Sequence, residues 1–309
     1  MSLMNDVRKY IAYLFDTRSF RYVDVLQPAD NGSVSATASA SVIGAGPALI
    51  VHGIMPRAGT VYVEQLMRLH PDLHALPRDL WELPLLQLSN HVLGLQRRFL
   101  RIYEQNTDKM LSTDFLEIVG AGMLAYLREE TPLEKRILFK VPSVQYLQYF
   151  WTMYPNQQLM LLIRDGRDLV DSTVRTWPQI SFPMACLRWK RAANMVHRFH
   201  NRHADLQTGY WLARFEDAVR DPEGFIREAC RRFDLDVACY PFERIKEIRI
   251  RGSSRLPQQG KVTWDPKEKP AGFAPIGYWH AWPPHRKWLF KRIAGDMLIE
   301  LGYCQDLTW

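Results

Sequence analysis

An apolar strand pattern, a glycine-containing loop and an amphipathic helix pattern follow one another between residues 48 and 70. The run 48–51 reads ALIV and lies between Gly-Pro and His-Gly pairs, which is typical of a buried parallel strand. Residues 61–70 carry their apolar side chains on one helical face and end before Pro71. The order predicts a strand–loop–helix unit whose loop lies at the ligand-binding edge of a sheet.

The same alternation of strand and helix patterns recurs along the chain. Further strands are predicted at 137–141, 159–163 and 210–215, and further helices at 144–154, 168–176, 221–233 and 284–301. Asp221 is the predicted N-cap before Pro222, and Gly302 is the predicted C′ residue of the last helix. We therefore predict an α/β fold, a single domain with a central parallel β-sheet flanked by helices.

The first part of the chain differs from the rest. Residues 4–15 have roughly helical spacing, and residues 31–46 are rich in Ser, Ala and Gly, which is typical of a loop or linker. The whole chain has 309 residues, 47% of them hydrophobic, enough for one sizeable core. We expect an N-terminal helix and leader at 1–46 and the main domain at 47–309.

Composition and cysteine usage bear on location and partners. The sequence has no apolar signal core and no stretch of membrane-spanning length. The spacing of the four cysteines indicates no set of disulfide bonds. They are Cys186, Cys230, Cys239 and Cys304. A cytoplasmic location is the resulting expectation. The formal net charge of +7 favours anionic ligands without choosing among nucleic acid, nucleotide and glycan.

The loop between residues 53 and 60 has the features of a phosphate-binding site. A glycine-containing loop that opens a helix presents free N–H groups and the positive end of the helix dipole. Thr60 adds a hydroxyl and Arg57 a fixed positive charge. The loop is not a Walker A motif, because five residues separate Gly53 from Gly59 and no Lys follows. An ordinary βα turn is the alternative interpretation.

A second candidate segment, residues 159–172, reads LMLLIRDGRDLVDS. Arg164 is placed at the carboxyl end of a predicted strand, and Ser172 lies eight residues later on the following helix. An Arg that leaves a strand and a Ser on the next helix can converge on one phosphate. A surface Arg and a solvated Ser are the alternative interpretation, and for this segment alone they are the commoner case. Arg167 and Asp168 are predicted to shape the turn and cap the helix.

Together these motifs resemble the family of sulfotransferases that use 3′-phosphoadenosine-5′-phosphosulfate (PAPS). Residues 56–60 resemble its P-[KR]-[SA]-G-T-[TS] phosphosulfate loop, and residues 164–172 its R-D-[PG]-R-x-x-x-x-S segment. Further similarities, in the family's order, are HPD at 70–72, KVP at 140–142, RFED at 214–217 with DPE at 221–223, RGSS at 251–254 and LGY at 301–303. The R-D-G-R segment is similar to that of bacterial-type and tyrosylprotein sulfotransferases.

The resemblance implies PAPS as donor, adenosine 3′,5′-bisphosphate (PAP) as product and a P-loop-like phosphosulfate-binding loop. The positions implied to bind the donor are Arg57, Ala58, Gly59, Thr60, Val61, Arg164, Ser172, Phe215, Arg251, Gly252 and Ser253. Two of them depart from the family pattern. Val61 stands where the family usually has Thr or Ser, and Phe215 stands where many members have Tyr near the adenine.

For catalysis the resemblance implies in-line transfer of a sulfuryl group to a hydroxyl or amine. Arg57 and Lys140 are the predicted cations at the developing charge. A base must take the acceptor proton, and Asp79 fits the family's placement best. Glu82 is the second choice for this base and His74 the third. His91 is a weaker option.

The remaining sequence patterns are a histidine series, an irregular stretch and several aromatic residues. His197, His200 and His203 recur every three residues, which is not a metal signature, so no metal is predicted. An irregular stretch at 257–284 suits a lid. The tryptophans and phenylalanine considered for an acceptor pocket are Trp177, Phe182, Trp264, Trp279 and Trp282.

Two functions from other classes stay open at this point. One is a nucleotide-dependent kinase on a degenerate phosphate loop, and the other is a non-catalytic protein that binds anions or glycans. The acceptor and the oligomeric state are not predicted, and no nucleic-acid partner or membrane span is expected.

Overall fold

The computed structural model describes residues 46–77, 80–255, 264–270 and 272–309. The expectations for the leader at 1–46 fall almost wholly outside these residues, as do Asp79 and part of the stretch interpreted as a lid. The division into a leader and a main domain therefore stays a prediction.

A five-stranded parallel sheet forms the centre of the described chain. Its strands are β1 (Leu49–Gly53), β2 (Leu73–Ala75), β3 (Arg136–Val141), β4 (Gln158–Ile163) and β5 (Tyr210–Arg214). Their spatial order is β2-β3-β1-β4-β5, so β1 lies in the middle with β3 and β4 as its neighbours. Because all strands are parallel, the segments that follow β1, β3, β4 and β5 meet at one edge of the sheet.

Helices connect and cover these strands, as the fold prediction requires. They are α1 (Thr60–Arg68), α2 (Ser89–Leu100), α3 (Asp114–Arg128), α4 (Phe150–Met153), α5 (Gly166–Thr176), α6 (Phe182–His203), α7 (Phe215–Arg220), α8 (Pro222–Phe233) and α9 (Pro284–Glu300). Short 3-10 turns lie at Leu86–Leu88, Glu104–Lys109, Leu147–Tyr149, Val237–Cys239, Phe242–Glu247 and Tyr278–Ala281. The predicted α/β class with a central parallel sheet is confirmed.

Alternate residues of the central strands enter opposite core layers, since successive strand side chains point to opposite faces. Ile50 packs in one layer, and Leu49 and Val51 pack in the other. The first layer contains Trp189 of α6 and residues of α5 and α9, whereas the second is formed with α1 and α8. Covering both faces explains why the strands read as continuous apolar runs.

Two helix ends follow the sequence predictions. The Asp221 side chain accepts a hydrogen bond from the Gly224 N–H at 2.9 Å and caps α8. After α9, Gly302 has φ +68°, and its N–H donates to the Ile299 carbonyl at 2.8 Å. A left-handed residue at this position satisfies carbonyls that the helix leaves free.

Several predicted bounds are wrong. The helix expected at 144–154 is a 3-10 turn followed by the four-residue α4, and Tyr146 before it has φ +61°. Strand β5 ends at Arg214, so Phe215 begins α7 instead of ending a strand. Helix α5 begins at Gly166, two residues earlier than predicted. Strand β2 and helices α2, α3, α6 and α7 are not among the predicted elements. Strand β2 is very short, and residues 85–130, which contain α2 and α3, match no motif used above.

Within the described residues, no helix combines the length and the apolar character needed to cross a membrane.

Candidate functional site

A cavity of about 400 Å³ opens at the carboxyl edge of the sheet, where the predicted motifs meet. Of the residues predicted to bind a donor, the cavity is lined by Arg57, Gly59, Thr60, Val61, Arg164, Ser172, Phe215, Arg251, Gly252 and Ser253. Ala58 is fully buried behind the loop instead. The volume lies in the range of small-molecule sites.

Gly59 shows why the loop after β1 needs a glycine. It is the N-cap of α1 and has φ +95°, a left-handed conformation that side chains rarely adopt. A Cβ atom here would lie 2.2 Å from the Phe215 ring, which therefore packs directly on the loop backbone. Both the dihedral angle and the close approach of Phe215 exclude other residues at this position.

The same loop presents its backbone to the cavity. The N–H groups of Tyr62 and Val63 return to the Gly59 carbonyl at 3.0 and 3.2 Å. The first N–H groups of a helix have no partner inside the helix. Thr60 and Val61 therefore open α1 with N–H groups suited to an anion, and the helix dipole adds to that preference.

Arg57 connects the loop to the other predicted motifs. Its Nε donates to Ser172 Oγ at 3.1 Å, and its guanidinium also donates to the Gly252 carbonyl. Its backbone has φ +79°, which is uncommon for a non-glycine residue. Burial, together with the nearby Arg164, lowers the pKa of Arg57 to about 10. The side chain stays cationic at neutral pH, and a bound anion would relieve the repulsion from Arg164.

Arg164 leaves the end of β4 and is buried in the cavity wall. Its guanidinium donates to the Arg57 carbonyl at 2.7 Å and to the Pro275 carbonyl at 2.6 Å, and it lies over the Phe215 ring at 4.6 Å. Its Nε is buried and has no hydrogen-bond partner among the described residues. Burial lowers the pKa of Arg164, while Asp168, Glu216 and Asp165 oppose this effect.

Asp168 does not cap α5 as predicted. Asp165 takes that role, since its carboxylate accepts the Arg167 N–H at 2.9 Å and pairs with the Arg167 guanidinium. Asp168 reaches the segment before α9 instead and accepts the N–H groups of Gly277 and Trp279 at 2.6 and 3.3 Å. The earlier start of α5 moves Asp168 into its first turn, beside the cavity.

Lys140 and Glu82 form an ion pair beside the cavity. Lys140 is buried next to β1, in register with Val51, and its Nζ lies 2.7 Å from Glu82 Oε1. Its Nζ also lies 4.8 Å from the centroid of the Trp81 ring. Glu82 and Trp81 line the cavity, whereas Lys140 lies behind them. The structure thus brings the predicted cation Lys140 and the second-choice base Glu82 together.

The other candidate bases lie elsewhere. His74 is in the edge strand β2, and burial lowers its pKa, so the imidazole is neutral at pH 7. His91 is exposed on α2, and neither histidine lines the cavity. Asp79 lies outside the described residues.

The aromatic residues considered for an acceptor pocket divide into two groups. Trp177 and Trp264 line the cavity, and Trp264 packs edge to face on Trp81 with centroids 5.4 Å apart. Trp279 and Trp282 are buried in the core instead, and Phe182 packs on Trp282 at 5.0 Å. Sequence analysis did not anticipate Trp81, nor Tyr62 on the first turn of α1, which also lines the cavity.

The histidine series on α6 takes part in ordinary packing. His200 Nδ1 lies 3.1 Å from the Tyr210 hydroxyl, and the His203 ring packs on Trp151. Among the residues that the structure describes, no group of three or more His, Cys, Asp or Glu side chains is arranged to hold a metal ion. The prediction that no metal is needed stays a prediction.

A model of the sulfotransferase family matches residues 47–238, more than half of the chain. The chain belongs to the sulfotransferase family. This sulfotransferase is 24% identical over 201 residues to a protein-tyrosine sulfotransferase of Drosophila melanogaster. The match covers 60% of this chain, but the chain spans only 38% of the length of that relative.

Solved sulfotransferase structures show a more remote similarity. A sulfotransferase domain from the curacin biosynthetic pathway is 17% identical, with 70% of this chain and 80% of that domain covered and a TM-score of 0.43. A sulfotransferase domain from the Synechococcus PCC 7002 olefin synthase is also 17% identical, with 82% and 94% covered and a TM-score of 0.47. The assignment to the sulfotransferase family rests on the family model and not on these structures.

Proposed function

We propose that this sulfotransferase transfers the sulfuryl group of PAPS to a hydroxyl-bearing acceptor and releases PAP. The proposal rests on one observation. Side chains and backbone from four segments meet in one cavity, namely Arg57, Arg164, Ser172 and the loop at Gly252. A donor that is phosphorylated at two positions of its ribose needs two anion sites. The loop after β1 supplies one of them, and Arg164 with Ser172 supplies the other.

The charges around the cavity fit such a donor. Arg164 Nε is a buried donor without a partner among the described residues, and Arg57 and Arg164 donate to carbonyls and a hydroxyl instead of carboxylates. The carboxylates among the lining residues, Glu82, Asp168 and Asp171, are already engaged. Their partners are Lys140, backbone N–H groups and Arg255. The Phe215 ring lines the cavity, where it packs on Gly59 and lies under the Arg164 guanidinium, so it supports these two donor-binding residues.

In the proposed reaction the acceptor oxygen forms a bond to sulfur while the bond from sulfur to the bridging oxygen of the donor breaks. The electron pair of the broken bond stays on the 5′-phosphate of PAP, and the acceptor proton passes to a base. Arg57 offsets the charge that grows on the phosphate side. Lys140 is not a lining residue and is paired with Glu82, so it is proposed to act through that ion pair.

The base is proposed from two carboxylates. Glu82 lines the cavity and accepts a hydrogen bond from Lys140 Nζ at 2.7 Å, so its orientation is set within the described site. Asp79, the best match to the family pattern, precedes it by three residues. Both remain candidates, and the substitutions described below separate them.

The acceptor is proposed to carry a hydroxyl group. The protein-tyrosine sulfotransferase relative is named for a tyrosine acceptor, and this makes a phenolic hydroxyl the first acceptor to try. We also propose that the protein uses PAPS as its donor and that it is cytoplasmic.

Binding of PAP, compared with ATP, tests the donor assignment. We expect saturating PAP to raise the melting temperature by several degrees, because a ligand at 100 times its Kd stabilises by about 2.7 kcal/mol. Equal concentrations of ATP are expected to give a much smaller shift. Differential scanning fluorimetry at fixed ionic strength measures both.

The opposite outcomes are informative. Equal shifts from ATP and PAP, together with magnesium-dependent ATP turnover, would support a kinase. No shift from PAP would overturn the donor assignment and favour a non-catalytic binding protein.

Two isosteric variants identify the base. We expect Glu82→Gln to lower kcat by about 100-fold or more while the Kd for PAP stays near the wild-type value, because loss of a general base affects chemistry and not donor binding. Steady-state kinetics with a phenolic acceptor and calorimetric PAP titration measure the two quantities. If Asp79→Asn loses turnover and Glu82→Gln keeps it, the base is Asp79.

A further inference from the structure

Asp171, on the cavity side of α5, is a buried carboxylate that receives hydrogen bonds from three parts of the chain. Its Oδ2 accepts from Arg175 Nε at 3.0 Å and from the Arg255 guanidinium, and its Oδ1 accepts from Trp282 Nε1 at 3.0 Å. Arginine and tryptophan side chains only donate. A buried site of this kind favours a carboxylate over an amide, because an amide would place its own NH₂ group against donors.

Arg255 belongs to a loop that lines the cavity, and its ion pair with Asp171 connects this loop to α5. Its guanidinium lies 3.8 Å from the centroid of the Tyr278 ring, and its backbone N–H donates to Ser253 Oγ at 3.1 Å. A planar guanidinium that is both paired and stacked has little freedom to move. The end of the loop is therefore fixed against α5 through Asp171.

The other end of the loop is fixed at the predicted phosphate-binding residues. The Gly252 carbonyl accepts from the Arg57 guanidinium, and Ser254 Oγ lies 3.2 Å from Ser172 Oγ. Ser172 and Asp171 are consecutive residues of α5, yet they hold different residues of the same loop. We call residues 252–255, held in this way, the clasped loop.

We propose that Asp171 is a positioning residue for donor binding, which acts by holding Arg255 and so keeps the clasped loop over Arg57 and Ser172. This inference rests on the proposed function, since it assigns Asp171 to the donor half of that site. The predicted donor positions Gly252 and Ser253 lie in the clasped loop, so its placement decides whether they face the cavity.

Calorimetric titration with PAP tests the role of Asp171. We expect Asp171→Asn to raise the Kd for PAP about 10-fold, equivalent to about 1.4 kcal/mol. Arg255→Gln is expected to have the same effect, and the double variant should be no weaker than either single variant, because both remove one interaction. Arg255→Gln changes a side chain at the end of the loop and is the variant to use if Asp171→Asn does not fold.

Arg175→Gln is the matched control. Arg175 donates to the same carboxylate oxygen as Arg255, but it belongs to α5 itself and its side chain is about half exposed. We expect this variant to bind PAP like the wild type, since no loop moves with Arg175. Circular dichroism melting of each variant separates a change in affinity from a change in folding.

The possible failures are distinguishable. Wild-type PAP affinity in both Asp171→Asn and Arg255→Gln would overturn the role of Asp171 while leaving the donor assignment intact. Additive losses in the double variant would also overturn it, as would an equal loss in Arg175→Gln. A wild-type chain that does not bind PAP would overturn the proposed function and, with it, this role.

Discussion

Replacing Arg57 by methionine is expected to lower kcat/KM by about 1,000-fold. The side chain links the loop after β1 to Ser172 and to the Gly252 carbonyl, and it is the cation proposed to offset the developing charge. Removing one preorganised charge-stabilising donor typically costs a factor of about 100 to 1,000 in kcat. Loss of donor affinity adds to this, because the same guanidinium is proposed to contact the donor in the ground state.

Two further variants serve as controls for Arg57→Met. Arg57→Lys keeps the positive charge, and lysine is common at this position in the family, so we expect it to retain most of the activity. Arg68→Met removes a cation from the exposed last turn of α1, the helix that follows the loop, and is expected to act like the wild type. Initial-rate kinetics with PAPS measure all three. Near-normal turnover in Arg57→Met would contradict the catalytic role.

Replacing Arg164 by alanine is expected to weaken PAP binding about 100-fold and to lower the melting temperature. The guanidinium donates to the Arg57 and Pro275 carbonyls, so its loss leaves two acceptors without partners and removes support from the phosphate loop. Charge-assisted hydrogen bonds to a phosphate contribute about 1.5–3 kcal/mol. Isothermal titration with PAP and thermal melting measure the two effects.

Arg164→Lys separates charge from geometry. A lysine retains the cation but does not reproduce the planar fork that spans the two carbonyls and stacks on Phe215. We expect intermediate PAP affinity from it. If Arg164→Ala binds PAP with the wild-type Kd, the 3′-phosphate does not bind at Arg164 and Ser172. Arg251 and Arg255, which also line the cavity, would then be the alternative sites.

The fold was predictable where local pattern and tertiary structure agree. The runs that became β1, β3 and β4 are buried on both faces, so the strand pattern and the buried position agree there. The prediction of a helix at 144–154 failed because Tyr146 takes a left-handed conformation, and the chain makes only short turns there. The spacing of apolar residues along a sequence does not indicate the backbone dihedral angle of a single residue such as Tyr146.

The candidate site was predictable in part for the same reason. Gly59 was identified from its place between a strand and a helix, and the structure gives it the positive φ for which glycine is suited. Arg164 and Ser172 were identified from the end of a strand and the next helix. Asp168, by contrast, was assigned to its own helix, while its partners Gly277 and Trp279 lie more than 100 residues away in the sequence.

The sequence alone determined the order of β1, β3, β4 and β5 along the chain, the phosphate loop after β1 and the residues Arg57, Arg164 and Ser172 that carry the resemblance to the family. These depend on spacing within some 15 residues, over which periodicity and turn chemistry act. The tertiary structure alone decided that Lys140 meets Glu82, that Phe215 packs on Gly59 and that Asp171 holds Arg255. Each of these contacts joins segments whose distance in space is set by the strand order and not by the residues between them.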